Sequence, residues 1–146
     1  AAACDYVISS DSAIWAFPEV KRGLVPALIS AVLIKQTNRR TLLDWLLTGR
    51  EVPVQELRAA GVINQIVDSN EVIPAARELA QSLLAGAPGV QRKTKRLLDK
   101  LSGRSLDDLI DLALADHLES RSSEEAREGV RAYFEKRQPA WNVVET

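Results

Sequence analysis

Cys4-Asp5-Tyr6-Val7-Ile8-Ser9-Ser10-Asp11-Ser12-Ala13-Ile14-Trp15-Ala16-Phe17-Pro18-Glu19-Val20-Lys21-Arg22-Gly23-Leu24-Val25-Pro26 is the stretch whose pattern decides the architecture. Within it, Tyr6-Val7-Ile8 and Ala13-Ile14-Trp15-Ala16-Phe17 are rich in the β-branched and aromatic side chains that suit a pleated, half-buried surface. The turn-formers Ser9-Ser10-Asp11-Ser12 separate them, so the pattern predicts two short strands joined by a tight loop. Pro18 has no amide to give a strand ladder and should end the second strand. Gly23 and Pro26 then punctuate a loop. Glu19 is thereby expected at a strand end.

Beyond this stretch the period changes. Pro26 suits the first turn of a short helix bearing Leu28, Ile29, Val32 and Leu33. Residues 39–47 and 54–60 read as two more short helices, stopped at Thr48-Gly49 and at Gly61. Val62-Ile63-Asn64-Gln65-Ile66-Val67 reads as an isolated strand. From Asn70 onward, apolar residues recur at helical spacing. Asn70 is a candidate cap, and Pro74 falls in a tolerant first turn. Val72, Ala76, Leu79, Ala80 and Leu83 share a face. Gly86 and Pro88 end this helix. Val90, Thr94, Leu97, Leu98 and Leu101 mark a second, closed by Ser102-Gly103. Ser105 with Asp108 resembles a capping box for a third, faced by Leu106, Leu109, Ile110, Ala113 and Leu114. Ser122 with Glu125 is the candidate start of a fourth, with Ala126, Val130 and Tyr133 inward. Two regions follow, a strand-containing part over 1–69 and a helical part over 70–146.

With 146 residues, 46% apolar and 27% charged, the composition is that of a globular chain. A formal net charge of −1 gives no overall attraction to nucleic acid or anionic membrane. The longest apolar stretch, residues 23–34, is interrupted by Pro26 and Ser30 and is too short for a bilayer span. The first ten residues carry no positive charge, so no secretory leader is expected. One cysteine, Cys4, excludes an internal disulfide and fits a reducing, cytoplasmic setting. The single His117 has no second His or Cys nearby, so no metal site is expected. A basic block (Arg92, Lys93, Lys95, Arg96, Lys100, Arg104) precedes an acidic one (Asp107, Asp108, Asp111, Asp116, Glu119). Such blocks read best as solvated faces of neighbouring helices that pair in part.

Three motifs, in order along the chain, carry a family resemblance. The segments Cys4-Asp5…Ile8-Ser9-Ser10…Ala13 and Phe17-Pro18-Glu19-Val20-Lys21-Arg22-Gly23-Leu24-Val25-Pro26 resemble C-D-x-x-I-A-S-x-x-A and F-x-x-P-E-v-k-x-G-l-x-P. Leu47-Thr48-Gly49-Arg50, then Gly61-Val62-Ile63-Asn64-Gln65-Ile66-Val67, resembles l-l-T-G-x and G-L-V-n-x-V-v. Arg127-Glu128-Gly129-Val130-Arg131-Ala132-Tyr133-Phe134-Glu135-Lys136-Arg137-Gln138-Pro139 resembles R-E-G-x-x-A-F-x-E-K-R-x-P. Together they are similar to the C-terminal portion of the enoyl-CoA hydratase/isomerase (crotonase) family. The resemblance implies a piece of the crotonase-like (ClpP/crotonase) α/β fold: the end of a ββα core, then a mainly helical region that builds homotrimers or hexamers. It also implies that the first catalytic carboxylate, the oxyanion-hole amides and most of the CoA channel belong to sequence preceding Ala1.

Hydration of an enoyl thioester needs donors at the carbonyl oxygen, where charge builds as the enolate forms. It also needs a carboxylate to deprotonate water and an acid to protonate the α-carbon. The resemblance makes Glu19 the second catalytic carboxylate. Trp15, Phe17 and Leu24, with Ile14, are the candidate pocket walls, and core packing explains such residues equally well. Lys136 is the candidate contact for CoA phosphates, to which an ammonium offers a point charge. No cofactor is implied apart from the coenzyme A carried by the acyl-CoA substrate. Ala27-Leu28-Ile29-Ser30 replaces a Gly-rich turn common in the family, which leaves hydratase, isomerase and decarboxylase chemistry open. A non-catalytic helical assembly module derived from the same fold is the competing reading.

Overall fold

The computed structural model describes residues 1–101 and 106–142. Contacts divide the chain into two compact units, Ala1–Glu78 and Leu79–Thr146. That division falls within a helix, whereas the sequence pattern places it before the helix, at 69/70.

The first unit holds four short strands. β1 (Ile8–Ser10) runs parallel to β4 (Gln65–Val67), with Ile8 opposite Gln65 and Ser10 opposite Val67. β2 (Trp15–Ala16) is antiparallel to β3 (Glu51–Val52), with Trp15 opposite Val52. The strand expected at 13–17 is thus cut to two residues, and the one expected at 6–8 keeps its length but is shifted toward its loop. Tyr6 is exposed, and the Val7 amide is taken by Asn64 Oδ1 at 2.7 Å instead of a strand partner. The expected strand over 62–67 keeps only its second half. Val62 and Ile63 are spent on the core, entering through Gly61 at φ 82°, a left-handed turn that favours glycine.

Pro18 ends β2 as expected, and Pro18–Arg22 then forms a 3-10 turn closed by Gly23 at φ 71°. Glu19 therefore lies in a helical turn and not at a bare strand end. Proline suits the first position of such a turn, where an amide would go unbonded. α1 (Ala27–Leu33) follows Pro26. α2 (Arg39–Thr48) is capped by Asn38, whose Oδ1 accepts from the Thr41 amide at 3.0 Å, and stops at Gly49 at φ 57°. α3 (Val54–Ala59) follows Pro53. Leu33, Trp45, Val52, Val54, Leu57 and Ile63 are the most deeply buried large side chains of this unit.

α4 (Val72–Leu84) precedes the helices of the second unit: α5 (Pro88–Leu101), α6 (Leu106–Arg121) and α7 (Glu124–Glu135). Pro88 opens α5 as well as closing the turn before it. The charge blocks pair across α5 and α6, Lys93 with Glu119 at 2.7 Å and Lys100 with Asp116 at 3.4 Å. The Ser102-Gly103 stop and the Ser105 cap lie outside the described residues. Ser123, not Ser122, caps α7 and accepts from the Ala126 amide at 3.1 Å. Glu125 instead accepts from the Gly89 amide at 2.8 Å. Tyr133 and Val130, expected inward, are exposed, and Ala132 is the buried residue of α7. A pattern of apolar residues identifies a face that needs covering, and it does not say whether the same unit supplies the cover.

Candidate active site

Trp15, Phe17, Glu19 and Leu24 occupy one continuous strand-and-turn segment of the first unit. Two bonds shape the turn: the Leu24 amide donates to Glu19 O at 3.0 Å, and the Gly23 amide to Val20 O at 3.2 Å. The Glu19 side chain is half-buried, and its Oε2 is fully covered without a hydrogen-bond partner. Buried acceptors are normally satisfied, so an unpaired carboxylate oxygen calls for an explanation, and a role in proton transfer is one.

The candidate walls have separate fates. Phe17 is committed to the core, its ring stacked on Trp45 with centroids 6.1 Å apart and planes 21° apart. Trp15 is half-buried, and its indole N–H reaches toward Ser9 Oγ at 3.4 Å. Leu24 and Ile14 are exposed, Leu24 at 60%. Exposed apolar side chains in the same segment as Glu19 are suited to meeting an apolar substrate or a further part of the protein. A separate cleft of about 370 Å³ between α1 and α2, with Ser30, Ile34, Arg39 and Leu42 on its walls, includes none of the candidate residues.

Four residues to which sequence reasoning gave no role form a bonded cluster, and one of them, Trp45, packs on Phe17 of this segment. Arg50 pairs with Asp44 and, through both terminal nitrogens, with Glu56; its Nη1 lies 3.0 Å from Glu56 Oε2. Glu56 Oε1 also accepts the Trp45 indole N–H at 2.7 Å. Hydrogen bonds from Arg50 and then Trp45 hold the Glu56 carboxyl below its ordinary range. The signal in the sequence is faint: two acidic residues, each six positions from Arg50, flank the Gly49 turn.

Lys136 belongs to the second unit and is the one non-glycine residue at positive φ, 53°, among the described residues. It forms the left-handed stop of α7, which the Arg137 amide closes by bonding back to Ala132 O at 3.1 Å. Beside it, Arg137 makes a two-pronged bond to Glu128 at 2.6 and 3.0 Å, and the Ala140 amide donates to the same carboxylate at 2.9 Å. The Lys136 ammonium is exposed and has no ion pair among the described residues.

The Glu128 latch makes a pH prediction. Its carboxyl is held at about 2, against an ordinary 4.5, first by Arg137 and then by the Ala140 amide. A depressed carboxyl stabilises the fold fully above its unfolded value, and that contribution disappears as pH falls through the folded value. The gap in unfolding midpoint between the wild type and Glu128→Ala should thus be constant above pH 4.5 and close as pH approaches 2. Circular dichroism melts across that range measure it; a gap independent of pH would refute the latch.

Comparison with known proteins bears on what the segment is for. Residues 1–143 match the family described as enoyl-CoA hydratase/isomerase. The chain belongs to the enoyl-CoA hydratase/isomerase family. A Thermus thermophilus protein named "Putative enoyl-CoA hydratase" is 38% identical over 139 residues, covering 95% of this chain and 55% of the relative. Carnitinyl-CoA dehydratase of Salmonella typhimurium is 31% identical over 146 residues, covering 97% of this chain and 56% of that protein. An enoyl-CoA hydratase from Shewanella pealeana superposes with a TM-score of 0.86 at 31% identity, covering 94% of this chain and 51% of the other. The chain spans about 55% of the length of these curated relatives. The fold class read from the sequence, a crotonase-like piece with short strands first and helices after, is the one found.

Among the described residues, no helix is long and apolar enough to cross a membrane. Nor does any group of three or more His, Cys, Asp or Glu side chains there have the arrangement to hold a metal ion.

Proposed function

We propose that this chain supplies the Glu19-bearing part of an acyl-CoA enzyme of the hydratase/isomerase type. The observation that carries the reading is the covered, unpartnered Oε2 of Glu19 at the position where the family motif has a catalytic glutamate. In this reading Glu19 exchanges a proton with water or with the substrate carbon. The oxyanion donors and a second carboxylate come from sequence matching the remainder of the relatives. Trp15 and Leu24 meet the acyl group, Phe17 braces the segment from within, and Lys136 attracts a CoA phosphate. Coenzyme A enters as part of the substrate, no further cofactor takes part, and the setting is cytoplasmic. Hydration is the reaction proposed; isomerisation or decarboxylation on the same thioester is the nearest alternative.

The test joins the chain to the unmatched remainder of the Thermus relative and follows loss of the enoyl-thioester absorbance of crotonyl-CoA. The joined protein should turn over and the chain alone should not, because removing even one oxyanion donor typically costs about a hundredfold or more. No turnover by a correctly assembled joined protein would favour a helical assembly module instead.

Self-association is the second part of the reading. Ile110, Leu114 and Leu118 recur every four residues on α6 and are each more than half exposed; Val130, Tyr133 and Phe134, the last two spaced three and four residues from the first, are likewise exposed on α7. Two such stripes on one small unit are best covered by copies of the chain in closed symmetry. Sedimentation at micromolar concentration should give a trimer or hexamer, and Leu114→Lys with Val130→Lys should shift it toward monomer. A compact wild-type monomer would refute this part.

A further inference from the structure

We propose that Trp45, Glu56 and Arg50 are positioning residues that set the aim of Glu19; the inference rests on Glu19 being the acid–base group. The Oε2 atom of Glu19 has no hydrogen-bond partner, so no bond to that atom fixes where it points. Its direction then depends on the packing around it and on the backbone of the Pro18–Arg22 turn that carries it, and that turn rests on α2 and its C-terminal stop.

The contact has two parts. Gly49 meets the turn from one side: a side-chain carbon there would stand 3.3 Å from Phe17 O, Val20 Cγ1 and Lys21 Cε. Trp45 meets it through Phe17, the residue immediately before Pro18, by ring stacking. Stacking is compatible with a range of ring offsets, so by itself it fixes the place of the indole less sharply than a directed bond does. The hydrogen bond from Trp45 Nε1 to Glu56 narrows that range at 2.7 Å. Glu56 in turn is oriented by the planar fork of Arg50, which grips both its oxygens and also Asp44. The chain of restraint runs Asp44 and Arg50 to Glu56, to Trp45, to Phe17, to the Glu19 turn. Each bond is directional except the one ring stack, and that stack lies between two fully packed rings.

A residue that only stabilises the fold and one that holds this turn make different predictions. Trp45→Phe keeps an aromatic ring and loses the donor. Glu56→Leu loses the acceptor, and Glu56→Gln keeps an acceptor for the indole while dropping the charge. Amide exchange on the 146-residue chain reads the turn at Leu24, whose N–H bonds Glu19 O, against Asn64, whose N–H bonds Val7 O at 2.9 Å just before the β1–β4 pair. Trp45→Phe and Glu56→Leu should speed exchange at Leu24 about tenfold more than at Asn64, and Glu56→Gln, which keeps the indole acceptor but turns an NH2 toward one prong of Arg50, should restore it in part. In the joined enzyme, the same two variants should lower kcat with KM little changed, and Glu56→Gln should recover part of it.

Leu24 and Asn64 speeding up together would reduce the trio to ordinary stabilising residues and overturn the proposal. So would a loosened turn with unchanged kcat in an enzyme that Glu19→Gln inactivates; in that case the assignment of Glu19 survives and the positioning role does not. If Glu19→Gln itself leaves kcat unchanged, the reading of Glu19 fails, and the positioning role falls with it, whatever the exchange data show.

Discussion

Glu19→Gln in the joined enzyme is expected to lower kcat by roughly a hundredfold or more while KM changes little. Glutamine preserves the size of the side chain and its capacity to accept a hydrogen bond, but it cannot take or return a proton. General acid–base groups contribute on the order of a hundred- to ten-thousandfold, so the lower end of that range is the least the reading requires. The split between kcat and KM matters more than the size. A group acting mainly in the transition state lowers kcat and kcat/KM together, whereas a wall residue that binds substrate raises KM. Because Oε2 has no hydrogen-bond partner to lose, the variant breaks no bond to that atom, and a fall in kcat with the unfolding midpoint retained marks a loss of chemistry and not of fold. Near-normal turnover by a correctly assembled Glu19→Gln enzyme would remove the main functional residue and leave the family fold without a mechanism for this chain.

How far such a site can be read from sequence depends on what kind of signal each part leaves. Helix ends were legible because they rest on single residues with special backbone freedom: Gly49 at φ 57° and Gly61 at φ 82° stop α2 and α3 where the pattern placed them. The pairing of the two charge blocks was legible in outline, since complementary faces of adjacent helices leave a compositional trace. β3 was not. Two residues, Glu51 and Val52, have no periodicity to detect, and their pairing with Trp15 and Ala16 is set by the fold around them. Ser122 and Ser123 are equivalent as caps until the start of α7 is fixed, and the start at Glu124 selects the second. Glu19 was singled out through a motif, but its 3-10 turn was missed because Pro18 is compatible with both a strand stop and a helical start. The Asp44–Arg50–Glu56 cluster is a tertiary construction across α2, a turn and α3, and charge spacing alone gives no reason to prefer it over other pairs.

Trp45→Ala should be the most destabilising single substitution in the first unit, by about 3–5 kcal/mol, the usual cost of truncating a large buried aromatic residue. Trp45 is 0% exposed and is the largest of the fully buried side chains. Three separate losses converge there. The cavity removes apolar contacts that the surrounding Leu33, Leu57 and Val54 core can recover only by shifting. Phe17 loses its stacking partner, worth about 0.5–1.5 kcal/mol beyond area. Glu56 loses a donor but stays bound to Arg50, so no charge is left unpaired and this third loss is the smallest. Trp45→Phe, which fills most of the space, should cost well under half as much. Urea unfolding of the two variants measures the difference, read as a shift in midpoint at constant slope. A loss below about 1 kcal/mol for Trp45→Ala would mean that the α2–turn contact collapses without penalty. A contact so yielding could not hold the Glu19 turn in one orientation, so the same measurement bears on the stability of the unit and on the rigidity that the proposed role of Glu19 requires.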